Sequence, residues 1–264
     1  FNNMFKNFIP YILLFYITSS FIVPNSNQII CSICEKQIKD KQYYVDIWDN
    51  PFHIYHKKVG TFCECCSRII SQKITNGGYI LNDGRNICSL CDVSIIRTSE
   101  EVTNSFKYVH NILKKNGVDN IDINEIKIAL IDKIQMKEYY GPYKIDHLQG
   151  ITKIEPIDKE PFKIYILNNL PKTQFEAILA HELLHIWLYK KNIFLDNLTM
   201  EGFCNLGSYI IYSLDDTKFS KIHLMSLENE DKNPDAYKYK ILKSMLEKEN
   251  FRYILKNIKN ISIP

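Results

Sequence analysis

The sequence predicts a mixed α+β chain of two units, a small metal-stapled module followed by a larger domain of helices on a small sheet. Three observations predict it. Seven of the eight cysteines fall between Cys31 and Cys91, and only Cys204 lies beyond them. Two β-branched runs, Ile126 to Asp132 and Phe162 to Asn168, read as strands. The stretch from Thr173 to Lys191 holds no Gly or Pro and reads as a helix. The 264 residues suffice for one large domain or two small ones, and a 45% hydrophobic content with 12% aromatics excludes an intrinsically disordered chain. Nine Gly and nine Pro exclude collagen-like and low-complexity classes. The 33 basic and 30 acidic residues give a net charge of +3 with no basic cluster, which argues against a nucleic-acid partner.

The chain opens on an apolar run, Phe8 to Val23, preceded by Lys6 and broken by Pro10. The run is short for a membrane span and suits the core of a signal peptide. Residues 1–28 are therefore expected to be a signal peptide or an N-terminal membrane anchor, for an exported or cell-envelope protein with membrane association through this segment. Lys36, Lys39 and Lys41 follow it and oppose simple export under the positive-inside rule, so a cytoplasm-facing anchor stays open.

Residues 29–95 carry two Cys-x-x-Cys pairs, Cys31/Cys34 and Cys88/Cys91, around His53, His56, Cys63, Cys65 and Cys66. A tetrahedral zinc site takes four N or S donors, usually as two close pairs. Two sites in series use these pairs most economically: Cys31, Cys34, His53 and His56, then Cys63, Cys66, Cys88 and Cys91, with Cys65 left over. Gly77-Gly78-Tyr79 and Asp83-Gly84-Arg85 supply the turns of a hairpin in the second half. The competing reading is a disulfide framework, which export would permit; the His pair at ligand spacing and the odd cysteine count favour metal. This order and spacing resemble a LIM domain, two zinc ribbons packed end to end. Here His56 stands where the usual pattern has Cys, and a longer link of six residues, Lys57 to Phe62, joins the sites. The resemblance implies two structural zinc ions and a surface that docks a protein partner.

Residues 98–264 form the second domain. Thr98 and Glu101 make a capping box before the helical run Val102, Phe106, Val109 and Leu113, which Gly117 ends. Thr173 and Glu176 make another before the run to Lys191, which contains His181-Glu182-Leu183-Leu184-His185. Residues i and i+4 share a helix face, so both imidazoles reach one metal ion, and Glu182 is placed to take a proton from its water. A catalytic zinc wants a third protein ligand. Asp196, Glu201, Cys204, His223, Glu228 and Glu230 are within range, and Glu201 is preferred. It lies 16 residues after His185 on a helix running to about Leu214, with Gly202 beside it to permit close packing. Cys204 reads as a packed small residue. Asn233-Pro234 is expected to start the last helix, with Tyr237, Ile241, Leu242, Met245 and Leu246 on its inner face. The strand 162–168 is expected at a sheet edge, where an extended substrate adds.

Ala180 to Leu188 followed by Glu201-Gly202-x-Cys204 resembles the peptidase domain of the DA1 family. Those proteins join a LIM-type zinc module to a C-terminal HExxH peptidase, in the order found here. The similarity covers about residues 31–214, Gly150-Ile-Thr included. It implies a zincin-type, gluzincin-like metallopeptidase domain acting on a protein or peptide. His181, His185 and Glu201 would hold the catalytic zinc, and Glu182 would be the general base. The plant members carry ubiquitin-interacting motifs where this chain has its apolar leader, so ubiquitin recognition does not carry over. The reading from a different class is a LIM-type adaptor with an inactive peptidase-like domain.

Overall fold

The computed structural model describes residues 29–140, 148–156, 158, 160–229 and 235–261. The expected leader, Glu230 and Asn233-Pro234 lie outside them. The architecture is mixed α+β, with nine helices and small sheets among the described residues. Residues 29–95 form one compact unit and the described residues from Ile96 onward another. None of the described helices is long and apolar enough to cross a membrane.

The first unit has little regular structure. The strands β1 (Tyr44–Val45) and β2 (Pro51–Phe52) pair as one antiparallel hairpin. After the helix α1 (Gln72–Thr75), β3 (Gly78–Ile80) and β4 (Asn86–Cys88) form a second, and α2 (Ser89–Asp92) closes the unit. Gly84, at φ +86°, makes the tight turn between β3 and β4 that the sequence marks. A small core gathers Phe52, Ile69, Ile38 and Cys31. Asp46 organises the chain around it: this buried carboxylate accepts from the backbone N–H groups of Trp48, Asn50 and Ile69, each at 2.9 Å. Trp48 Nε1 in turn donates to the Cys66 carbonyl at 2.7 Å. These bonds tie the first hairpin to the second half of the unit.

In the second unit α3 (Ser99–Lys115) begins on the full capping box, with Glu101 N donating to Thr98 Oγ1 at 3.2 Å and Thr98 N to Glu101 Oε2 at 2.8 Å. It buries Phe106, Val109 and Leu113. Next come β5 (Ile126–Ile131), α4 (Lys133–Tyr140), β6 (Gly150–Ile154) and β7 (Phe162–Leu167). The sheet order is β5-β7-β6, with β5 parallel and β6 antiparallel to β7. The run 162–168 is therefore the central strand, not an edge. Its Phe162, Ile164, Ile166 and Leu167 are all buried and its backbone is paired on both sides, which leaves β5 and β6 as the edges among the described residues.

Against this sheet lies α5 (Lys172–Lys190), buried on nearly every side. The Thr173–Glu176 capping box does not form. The helix starts at Lys172 behind Pro171, so Thr173 is already inside the first turn, and the buried Glu176 pairs with Lys172 at 2.5 Å. The next helix, α6 (Asn197–Tyr212), is capped by Asp196, whose Oδ1 accepts from Thr199 N at 3.0 Å. Then follow α7 (Lys218–Leu227), α8 (Ala236–Lys248) and α9 (Phe251–Asn257). The helix expected last is thus followed by another. Its inner face is Ala236, Tyr239 and Leu242, while Tyr237 points outward at 48% exposure.

Two glycines let α6 approach its neighbours. A Cβ on Gly207 would meet the Ala180 carbonyl oxygen at 2.8 Å, so this glycine sets the contact with α5. A Cβ on Gly202 would meet Tyr239 N at 2.8 Å, so Gly202 serves packing against α8 instead. Gly207→Val should push α6 off α5 and destabilise the protein by about 1–3 kcal/mol through overpacking. Urea unfolding checks this, and an unchanged midpoint would contradict the close contact.

Candidate metal centres

The donors of the first group, Cys31, Cys34, His53 and His56, lie within 4.8 Å of one another. The local fold explains the cysteine pair. Glu35 at φ +59° turns the chain so that Cys31 N bonds to Lys36 O at 2.9 Å, and Ile33 N points at Cys31 Sγ at 3.4 Å. Cys34 Sγ is 3.5 Å from His53 Nδ1. Both ring nitrogens of His56 are buried without a hydrogen-bond partner. A buried imidazole left so is costly, and an ion between these four side chains would give it the missing partner. Burial, then the charge of His53, pushes the His56 imidazole below its ordinary range, toward the neutral form that can ligate.

The second group repeats the turn. Ser67 at φ +56° lets Cys63 N bond to Arg68 O at 2.9 Å. Cys63, Cys66, Cys88 and Cys91 again lie within 4.8 Å of one another, and all are at most 5% exposed. Cys88 N points at Cys63 Sγ at 3.3 Å and Cys91 N at Cys88 Sγ at 3.4 Å. The Cys66 and Cys88 sulfurs are 3.8 Å apart. Two sulfurs each about 2.3 Å from one tetrahedral centre would be separated by about 3.8 Å, whereas a disulfide needs about 2.05 Å. All eight cysteines are free thiols. Cys65, left over by the spacing, is buried beside the group. Its hydrogen bond pushes the Cys63 thiol down, and hydrogen bonding to Cys63 pushes Cys65, Cys66 and Cys91 up. Thiols crowded this way share few negative charges until a cation joins them.

The third group spans α5 and α6. The helix period puts His181 and His185 on one face, and the α5–α6 contact brings Glu201 to them. The His181 Nε2 to His185 Nε2 distance is 3.1 Å, and Glu201 Oε2 and Oε1 lie 3.1 Å from the first and second nitrogen. Donors about 2.0–2.1 Å from a tetrahedral centre are separated by roughly 3.3 Å, so a small ion fits this triangle. These side chains are 14%, 11% and 13% exposed, unlike the closed four-cysteine group. Cys204 Sγ also lies within 4.8 Å of both imidazole donors. Burial, then the charge of Glu201, pushes that thiol far up, so it competes poorly with the carboxylate.

Outer partners hold the triangle. His181 Nδ1 is 3.0 Å from Asn205 Oδ1, and Asn205 Nδ2 donates to Asp235 Oδ2 at 2.5 Å. With its amide committed to Asp235, Asn205 presents its oxygen to the His181 Nδ1 proton and leaves Nε2 for an ion. Burial alone would raise the Glu201 carboxyl, but the charges of His185 and His181 outweigh it and hold it at about 2. Burial alone would lower His181, but the charge and hydrogen bond of Glu201 carry it to about 9. Burial, then the charge of Glu201, raises Asp235 to about 7. Beside the triangle the Glu182 carboxylate, 5% exposed, accepts a 2.7 Å bond from Thr152 Oγ1.

The other proposed donors are engaged elsewhere. Asp196 caps α6, and His223 stacks on Tyr212 with centroids 4.9 Å apart. Glu228 pairs with Lys243 at 2.5 Å. The sequence alone does not mark Asn205 or Asp235, and it gives Thr152 no role beyond its place in the Gly150-Ile-Thr stretch. Asn205 stands four residues after Glu201, on the same face of α6, a signal that could have revealed it. Asp235 and Thr152 come from distant elements and leave no local signal. No family model, curated protein or solved structure matches the chain.

Glu201→Ala should weaken metal binding at the third group by about 100-fold or more, while Cys204→Ser changes it by no more than about threefold. Competition with a chromophoric chelator measures both; the reverse ranking would make Cys204 the ligand. His181 carries a proton below about 9 and must lose it to ligate, so affinity here should rise with pH and level above that value. Calorimetry at pH 7 in buffers of differing ionisation heat should show about one proton released.

Proposed function

We propose that this chain is a zinc-dependent peptidase in which a LIM-like double zinc module precedes a zincin-type, gluzincin-like domain, as the resemblance to the DA1 family implies. One observation carries the reading: two imidazoles and a carboxylate converge at 3.1 Å on a partly open site, with Glu182 on the residue next to His181. The N, O and S donor sets suit zinc in all three groups. His181, His185 and Glu201 would hold a catalytic ion, and the other two groups would hold structural ions. When bound, the catalytic zinc supplies Lewis acidity, lowering the pKa of water and polarising the scissile carbonyl.

The remaining work falls to the chain itself. Asn205 and Asp235 keep His181 in the ligating tautomer. Glu182 takes the proton of the attacking water and returns it to the leaving amine. The edge strand β6, not the central β7, is the place for an extended peptide to add, since its Thr152 contacts Glu182. The first unit serves to dock a protein partner or the substrate. With residues 1–28 as leader or anchor, the peptidase works outside the cytoplasm or at the cell envelope.

Elemental analysis of purified protein should find three zinc ions per chain, and a reproducible value near one would remove the two-site reading of the first unit. Cys63→Ser or Cys88→Ser should unfold that unit, because metal binding there is folding free energy, with little loss of helical circular dichroism from the second. Glu182→Gln should leave folding and zinc content unchanged while slowing peptide hydrolysis by about 10²–10⁴-fold. A proteome-derived peptide library read by mass spectrometry tests this. Full activity of the variant would discard the mechanism. A zinc-loaded wild type that cleaves nothing would leave the adaptor reading.

A further inference from the structure

Glu182 belongs to α5, yet its carboxylate is held from β6. Thr152 Oγ1 donates to Oε2 at 2.7 Å. Two residues earlier, on the same face of the strand, Gly150 leaves the room that Oε1 occupies. A Cβ there would stand 2.5 Å from Oε1 and 2.7 Å from Ile178 Cγ2. Thr is an ordinary strand residue, whereas Gly weakens a strand. A buried carboxylate against the strand accounts for the glycine and gives the Thr152 hydroxyl its acceptor. It needs a donor for one oxygen and empty space for the other.

We infer that Gly150 and Thr152 form a strand-borne cradle that fixes the Glu182 carboxylate for proton transfer, with Thr152 as a positioning residue. The inference takes its reaction from the peptidase reading, while the cradle stands on its own geometry. The Thr152 hydroxyl occupies Oε2, so Oε1 is left to accept the proton from water and to pass it to the leaving amine. The strand that aligns the base is also an edge strand, so seating an extended peptide and aligning the base involve one element.

Thr152→Val and Thr152→Ser separate this role from a structural one. Both are made in the full chain, loaded with zinc, and assayed on the best-cleaved member of a quenched-fluorescence peptide library. Val should lower kcat by about 10- to 100-fold, the scale of a misplaced catalytic group, with KM and zinc content unchanged. Ser, which keeps the hydroxyl, should restore the rate. Crystal structures of the two variants should show the carboxylate displaced from Gly150 with Val and in place with Ser. A full rate or an unmoved carboxylate in the Val variant would overturn the inference, as would a Ser variant no better than Val. Should the wild type cleave no peptide, the peptidase reading falls and the two crystal structures decide the cradle by the same criterion.

Discussion

Glu201 sits between two imidazoles in the interior of the second unit, and the arrangement around it follows from keeping that carboxylate charged there. An ionised carboxylate taken out of water without partners is too costly to survive folding. His181 and His185 supply the opposite charge, each 3.1 Å away, and Asp235 yields by moving up to about 7. The cluster is poised for a cation, because the charges that now sit on imidazole would then be carried by the ion. Close packing makes it possible. Gly207 against the Ala180 carbonyl brings α6 near enough for a short Glu side chain to reach a pair of histidines on α5.

The first unit answers a different constraint. Its regular elements are two to four residues long, and its buried core is a handful of side chains. So little apolar surface cannot offset the ordering of more than sixty residues. Two repeated cysteine turns, each closed by a positive-φ residue and aimed by N–H···S contacts, prepare two sets of four donors instead. Asp46 and Trp48 then join the halves through backbone hydrogen bonds, so the two groups are held in one folded piece.

The same contrast separates the groups by chemistry. The four-cysteine group is sealed, whereas the His181, His185 and Glu201 side chains each keep a tenth or more of their surface open. Next to His181 in sequence, the Glu182 carboxylate faces Gly150 and Thr152 of β6, an edge of the sheet among the described residues. Two helices thus carry the donors, and a strand braces the Glu182 carboxylate that α5 sets between its two histidines.

Local pattern alone determined much of this. The cysteine and histidine spacing picked out two sets of four donors because short turns bring such pairs together whatever follows. The helical period placed His181 and His185 on one face, and the Thr98–Glu101 box marked the start of α3, because these interactions reach only three or four residues along the chain. The tertiary structure decided what depends on distant partners. It made β7 central by pairing it on both sides. The Thr173–Glu176 box was lost for a local reason, since the helix starts at Lys172 and Glu176 pairs with that residue one turn back. The tertiary structure brought Asn205, Asp235 and Thr152 to the site from separate elements. A hydrogen bond across 24 or 30 residues leaves no periodic trace in sequence, since it exists only once helices and strands have packed.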